Sequence, residues 1–162
     1  MDSLVEYTTQ ETSINGVKLQ PLQVIDTPQG AVLHMLRGDY ALMPTFPAGF
    51  GEIYFSEVHY GEIKAWKRHQ LQQQLFAVPW GLLHLVLYDP REQSPTKGQV
   101  LSLSLGRPDH YNLLSIPCGI WYGFTAQSHP GALLCNCANI PHDPHESEHI
   151  PATSPLIPYS WA

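Results

Sequence analysis

From Ile53 to Ala138 the chain breaks again and again into short apolar or alternating runs, each closed by turn residues. Leu82 to Asp89 is the clearest, apolar but for His84 and the closing Asp89, and stopped by Pro90. Val100 to Leu105 alternates strictly, with Leu101, Leu103 and Leu105 on one face and Ser102 and Ser104 on the other. Ile53 to Tyr60, Glu62 to His69, Tyr111 to Ile116, Trp121 to Ala126 and Ala132 to Ala138 read as further strands. Gln70 to Val78 reads as a loop passing into a strand, and Glu92 to Gln99 as a loop. Leu22 to Ile25 and Ala31 to Leu36 flank the turn Asp26-Thr27-Pro28-Gln29-Gly30. Residues 37 to 50 are turn-rich, with Pro44, Pro47 and Gly49. Roughly ten short strands with turns about every 8 to 12 residues predict an all-β sandwich or barrel, and a two-sheet jelly roll fits best.

Composition agrees. The 162 residues fit one domain spanning 1–162, with a loose lead-in over 1–20 in which Val17-Lys18-Leu19 can form a short strand, and an extended C-terminal strap over 141–162. Charged residues make up only 14% of the chain, and 15 prolines and 12 glycines punctuate it, which argues against a helical bundle. A net charge of −6 argues against a nucleic-acid partner, because phosphate binding needs a basic face. No apolar run approaches the length of a membrane span, and MDSLVEYTTQ carries no apolar signal core, so no membrane partner is expected. Three cysteines, an odd number, suggest reduced thiols in a cytoplasmic protein. They read as small buried hydrophobes.

Polar side chains gather in one stretch, Gly51 to Arg91. His59, Lys64, Lys67, Arg68, His69 and Gln72 to Gln74 lie within about one hairpin of each other. Polar residues on a sheet face either solvent or an enclosed cavity. Residues two apart on a strand share a face, so Lys67 and His69 can point into one cavity. A neutral imidazole is the better base near pH 7, whereas a lysine needs a strongly lowered pKa. Either assignment stays open. Of Trp121 and Tyr122, which alternate faces, Tyr122 is the candidate for the cavity.

A further set of motifs follows in order: Asp89-Pro90-Arg91, Ser94-Pro95-Thr96-Lys97-Gly98, then Ile116-Pro117-Cys118-Gly119-Ile120-Trp121-Tyr122-Gly123-Phe124, and a closing Ile157-Pro158-Tyr159-Ser160-Trp161. Over about residues 50 to 162 the chain resembles the dTDP-4-dehydrorhamnose 3,5-epimerase family. That resemblance implies a double-stranded β-helix, the RmlC-like cupin jelly roll, and a homodimer. It implies a nucleotide-linked 4-keto-6-deoxy sugar as partner, and proton abstraction and return beside the keto group with no cofactor. The family's base is the His of a Leu-Arg-Gly-Leu-His strand, matched here by Ile63 to His69. Lys64 falls at the family's Arg and, ungapped, Lys67 at its His. The resemblance therefore makes His69, Lys67 and Tyr122 the catalytic candidates, with His69 favoured as base. Lys64, Arg68, Gln74, Glu57 and His59 become the substrate-binding candidates.

Two family groups are missing. The family's acidic Tyr has no counterpart in Leu133 to Cys137, where Cys135 stands nearest, and its Asp-Pro segment reads Ser154-Pro155. A single-position epimerase, a keto-isomerase and a non-catalytic sugar-nucleotide-binding or interaction protein of the same fold all remain open. The His-rich segment His142 to His149 has residue types suited to Zn, Ni or Fe. Without a His-x-His pair it is expected to be a solvent-facing strap, and no metal is expected. His84 is expected to be a hydrogen-bonded core or interface residue.

Overall fold

The computed structural model describes residues 8–43 and 48–162. Pro44 and Pro47, in the turn-rich stretch, lie outside the described residues. Thirteen strands and no α-helix occur among those described. In chain order they are β1 (Gln10–Glu11), β2 (Lys18–Pro21), β3 (Val24–Ile25), β4 (Val32–Leu33), β5 (Glu52–His59), β6 (Ile63–His69) and β7 (Gln74–Trp80). Then come β8 (Leu82–Tyr88), β9 (Val100–Gly106), β10 (Asn112–Ile116), β11 (Trp121–Ala126), β12 (Gly131–Ala138) and β13 (Ser147–His149).

Two antiparallel sheets face each other. One has the order β1-β2-β10-β7-β12-β5, the other β13-β6-β11-β8-β9, and β3 and β4 form a separate hairpin. Neighbours in space are mostly distant in sequence, as the strand exchange of a jelly roll requires. The chain is an RmlC-like cupin jelly roll. β7 and β8 are consecutive yet belong to different sheets, joined by Gly81 alone. Gly81 has φ +77°, and a Cβ there would lie 2.4 Å from the carbonyl oxygen of Gly131, so the crossing admits only glycine.

Alternation sorts the side chains into three apolar layers. Leu83, Leu85 and Leu87 of β8 meet Phe76 and Val78 of β7 and Leu134 of β12 between the sheets. On the outer face of the first sheet, Leu75, Ala77, Leu113 and Cys137 are covered by Leu22, Tyr40 and Leu42. On the outer face of the second, Trp66, Val86 and Trp121 are covered by Ile157, Tyr159 and Trp161. The C-terminal strap is therefore structural. Within the lead-in 1–20, Gln10–Glu11 and Lys18–Pro21 form strands, the second overlapping the short strand expected over 17–19, and Ile14 and Val17 are fully buried in the central core. Two burials of that size outweigh the polar character of the surrounding residues. The strap lies on sheet as well as in solvent. β13 pairs with the edge strand β6, and His84 Nε2 lies 2.9 Å from the Tyr159 hydroxyl. Cys135 and Cys137 are buried, Cys118 is half-buried, and all three thiols are free.

The Asp-Pro-Arg and Ser-Pro-Thr motifs form one knot. Asp89 is fully buried and accepts from Arg91 Nε at 2.8 Å, Ser94 Oγ at 2.6 Å and Thr96 Oγ1 at 2.7 Å. Burial alone would raise its pKa, but these donors hold the carboxyl well below the usual carboxylate range. Arg91 and Thr96 then bind the backbone of Asn15, which ties the N-terminal segment to the β8–β9 loop.

Candidate active site

A cavity of about 310 Å³ opens between the sheets. Its polar lining is Tyr54 and Ser56 from β5, Lys64 and Lys67 from β6, Tyr122 from β11 and His149 from β13. Trp66, Phe76, Phe124 and Leu134 supply apolar walls. Strand register explains the grouping. Lys67 pairs with Tyr122 on one side and with His149 on the other, so the three side chains stand in a row across β11, β6 and β13. Tyr54 belongs to the opposite sheet, where its cross-strand partner is Asn136.

Behind Tyr122 runs a chain of buried polar groups. The Tyr122 hydroxyl lies 3.0 Å from His69 Nε2, and His69 Nδ1 lies 2.5 Å from Glu146 Oε1. The other carboxylate oxygen of Glu146 accepts from the amides of Leu71 and Gln72, each at 3.1 Å. With a carboxylate on Nδ1, the network assigns the proton to Nδ1, leaving Nε2 free to accept from the Tyr122 hydroxyl. Burial lowers the pKa of His69 against the pull of Glu146, so the ring is neutral near pH 7. Burial would raise Glu146, but His69 and the two amides outweigh it and hold the carboxyl below its usual value. Burial pushes the Tyr122 phenol well above its usual value.

Across the cavity, the Tyr54 oxygen accepts from Asn136 Nδ2 at 2.8 Å, which leaves its own O–H free to donate inward. Asn136 also donates to Gln74 Oε1, and Gln74 Nε2 reaches Gln72 Oε1 at 2.5 Å. Burial raises the Tyr54 pKa, partly offset by Asn136. The site thus sets two phenols on opposite sheets, one backed by a carboxylate–imidazole pair and one by an amide network.

The residues singled out from the sequence fall into four groups. Lys67, Tyr122 and Lys64 line the cavity. His69 and Gln74 are buried behind it, His69 under Tyr122 and Gln74 under Asn136. His69 does share the face of Lys67, but β6 carries it past the cavity into the core. Arg68 does not face the cavity: it points to the outer face, where it pairs with Glu148 and stacks 4.7 Å over Trp121. The half-period of the strand puts it there, opposite Lys67. Glu57 and His59 border a shallower groove that shares Ser56 and Lys64 with the cavity.

Three site residues escaped sequence reasoning. Glu146 fills the role for which Ser154-Pro155 offered no carboxylate, and it is only 4% exposed, within the segment expected to face solvent. His149 follows it on the same strap. Tyr54 supplies a phenol that Leu133 to Cys137 lack, one strand over. Its alternation with Ser56 and Val58 was the available signal. Among the described residues, no cluster of His, Cys, Asp and Glu could hold a metal ion.

No protein-family profile matches the chain. A dTDP sugar isomerase of Desulfovibrio desulfuricans is 53% identical, with a TM-score of 0.86 and 92% of each chain covered. A probable low-salt glycan biosynthesis epimerase of Haloferax volcanii is 31% identical over 156 residues, 92% of this chain and 95% of that one. The dTDP-4-dehydrorhamnose 3,5-epimerase of Bacillus anthracis, solved with TDP and pyrophosphate bound, shares the fold at TM-score 0.79 and 19% identity, over 95% of this chain and 89% of that one. With these likenesses running nearly end to end over a jelly roll whose cavity is lined by two facing phenols, one backed by a buried carboxylate–imidazole pair, the chain belongs to the dTDP-4-dehydrorhamnose 3,5-epimerase family of dTDP-sugar isomerases and epimerases.

Proposed function

We propose that this protein is an isomerase that moves a proton beside the carbonyl of a dTDP-4-keto-6-deoxy sugar, without a cofactor. The observation that carries the reading is the chain Glu146–His69–Tyr122, which ends at the cavity. A phenol with a pKa raised by burial is a weak acid, but a neutral imidazole at 3.0 Å can take its proton as charge develops. Glu146 then stabilises the imidazolium. Tyr122 carries the proton on one face of the sugar, and Tyr54, on the opposite sheet, serves the other face. Two proton carriers on opposite walls are what inversion at a carbon needs. Lys64 and Lys67 bring positive charge to the carbonyl side, where the enolate oxygen develops its charge.

The cavity volume suits the sugar ring, and its apolar walls exclude water from the reacting carbons. The nucleotide then lies outside, past Lys64, toward the groove that Glu57 and His59 border. A homodimer completes the reading. β5 is a sheet edge, and on its outer face Ile53 and Phe55 are 54% and 65% exposed, beside Trp80 at 52%. An open apolar edge of this kind invites a second copy. Free thiols and an activated-sugar substrate are in keeping with a cytoplasmic setting.

The test is solvent deuterium wash-in, followed by NMR, with dTDP-4-keto-6-deoxyglucose in heavy water. Exchange at C3, C5 or both, lost in Tyr122→Phe, supports the reading. Binding without exchange at either carbon would move the protein to a non-catalytic sugar-nucleotide binder.

A further inference from the structure

An inversion that uses one phenol on each wall leaves the protein in a different protonation state. The sugar loses a proton on the Tyr122 side, where His69 ends as an imidazolium. It gains one from Tyr54, which ends as a phenolate. Before the next turnover, one proton must leave His69 and another must reach Tyr54. The chain Glu146–His69–Tyr122 runs inward from the cavity, and all three groups are buried. A proton held on His69 therefore leaves through the Tyr122 hydroxyl, which opens on the cavity.

His149 stands where such a proton can go. Among the described residues, it is the one histidine that lines the cavity. Register sets Tyr122 and His149 on either side of Lys67, two strand spacings or about 10 Å apart. Water that enters the emptied cavity bridges a gap of that kind. β13 is the edge strand of its sheet, and His149 is exposed where Tyr122, His69 and Glu146 are buried. One imidazole thus borders both the cavity and the solvent. Imidazole gives and takes protons at neutral pH, which suits it to this task better than a phenol or an ammonium.

We propose that His149 carries protons between the cavity and solvent, and so resets the two walls after each inversion. The proposal rests on the reading of the cavity as a keto-sugar site with a proton carrier on each wall. Tyr122 gives its O–H proton to cavity water as it takes the Nε2 proton of His69. That water passes a proton to His149, which gives it to a base in solvent. Tyr54 phenolate regains its proton by the same route in reverse, with His149 as donor. One proton leaves and one enters, so the charge of the protein is unchanged over the cycle. Lys67 keeps its ammonium throughout and remains a cation for the enolate. Burial, and with it the Lys67 ammonium, disfavours an imidazolium at His69, which drives the proton outward to the hydrated edge strand.

The test follows inversion of dTDP-4-keto-6-deoxyglucose by rapid quench and NMR, with the sugar first stoichiometric with the full chain and then in excess. His149→Gln is expected to give a burst of one inverted sugar per protein, followed by a steady rate about tenfold or more below wild type. His149→Ala, which leaves room for a free imidazole, is expected to show the same burst, with the steady rate restored by added imidazole. Neither effect is open to a side chain that only shapes the cavity. β13 is held to β6 through its backbone, so the fold does not need this side chain, and either variant alone decides the matter. A steady rate equal to wild type would overturn the proposal while leaving the keto-sugar reading intact. So would a first turnover slowed as much as the later ones with no response to imidazole, or wash-in by the wild-type protein without inversion. Absence of both wash-in and inversion in the wild-type protein would overturn both.

Discussion

Tyr122 stands between His69 and the cavity. Its hydroxyl is 3.0 Å from Nε2, and the two rings lie nearly parallel, 14° apart, with centroids 5.9 Å from each other. In the proposed reaction the histidine works through the phenol, and the carboxylate of Glu146 works through the histidine. The consequences of that order can be measured.

Glu146→Gln should cost about 10²- to 10⁴-fold in wash-in rate. The glutamine amide can donate to Nδ1, which moves the ring proton to Nε2 and leaves no acceptor for the Tyr122 hydroxyl. Binding of TDP, measured by calorimetry, should not change. A variant with wild-type wash-in would show that Tyr122 does not need the pair.

Tyr54→Phe separates exchange from inversion. With Tyr122 intact, deuterium should still enter from one face, but the sugar recovered should keep its original configuration. NMR coupling constants of the product decide this. Inverted product at the wild-type rate would remove Tyr54 from the reaction.

Acid should destabilise the fold through the same pair. The folded-state pKa values of His69 and Glu146 are both depressed. For each group, the unfolded chain binds the proton first as pH falls, so the stability it contributes is present above its unfolded pKa and lost below it. With unfolded values of about 6.5 and 4.3, thermal unfolding temperature should start to fall below about pH 6.5 and fall further through about pH 4. His69→Gln should flatten the upper part of that profile.

Asp89→Ala should destabilise the protein by about 3 to 5 kcal/mol, read by urea unfolding, because Arg91 loses its buried partner and two hydroxyls lose their acceptor. The knot is remote from the cavity lining, so wash-in per folded molecule should hold.

Phe55→Glu should convert a dimer to a monomer in sedimentation experiments, since it places a charge on the open apolar edge of β5. An unchanged sedimentation coefficient would move the interface elsewhere.

Local pattern made much of this protein legible. Trp121 to Ala126 forms a strand at the expected bounds, and the alternation of Val100 to Leu105 turns Leu101, Leu103 and Leu105 inward. Period-two burial is a property of neighbouring residues, so it can be read without knowing the partners. The same rule places Lys67 and Tyr122 on cavity faces and reverses Arg68. It does not say how deep a residue sits, which is why His69 lies behind the cavity and not in it.

Pairing across distance was not legible. Glu146 reaches His69 from 77 residues away, only because β13 docks on the edge of β6 in the register that sets Ser147 opposite His69. Tyr54 meets the cavity because β5 pairs with β12. By itself the sequence determined the long strands between Glu52 and Ala138, their inward faces and the family motifs, all carried by spacing along the chain. Only the tertiary structure decided which carboxylate backs the histidine and which phenol faces Tyr122, because strand order and register depend on packing between segments that share no local pattern.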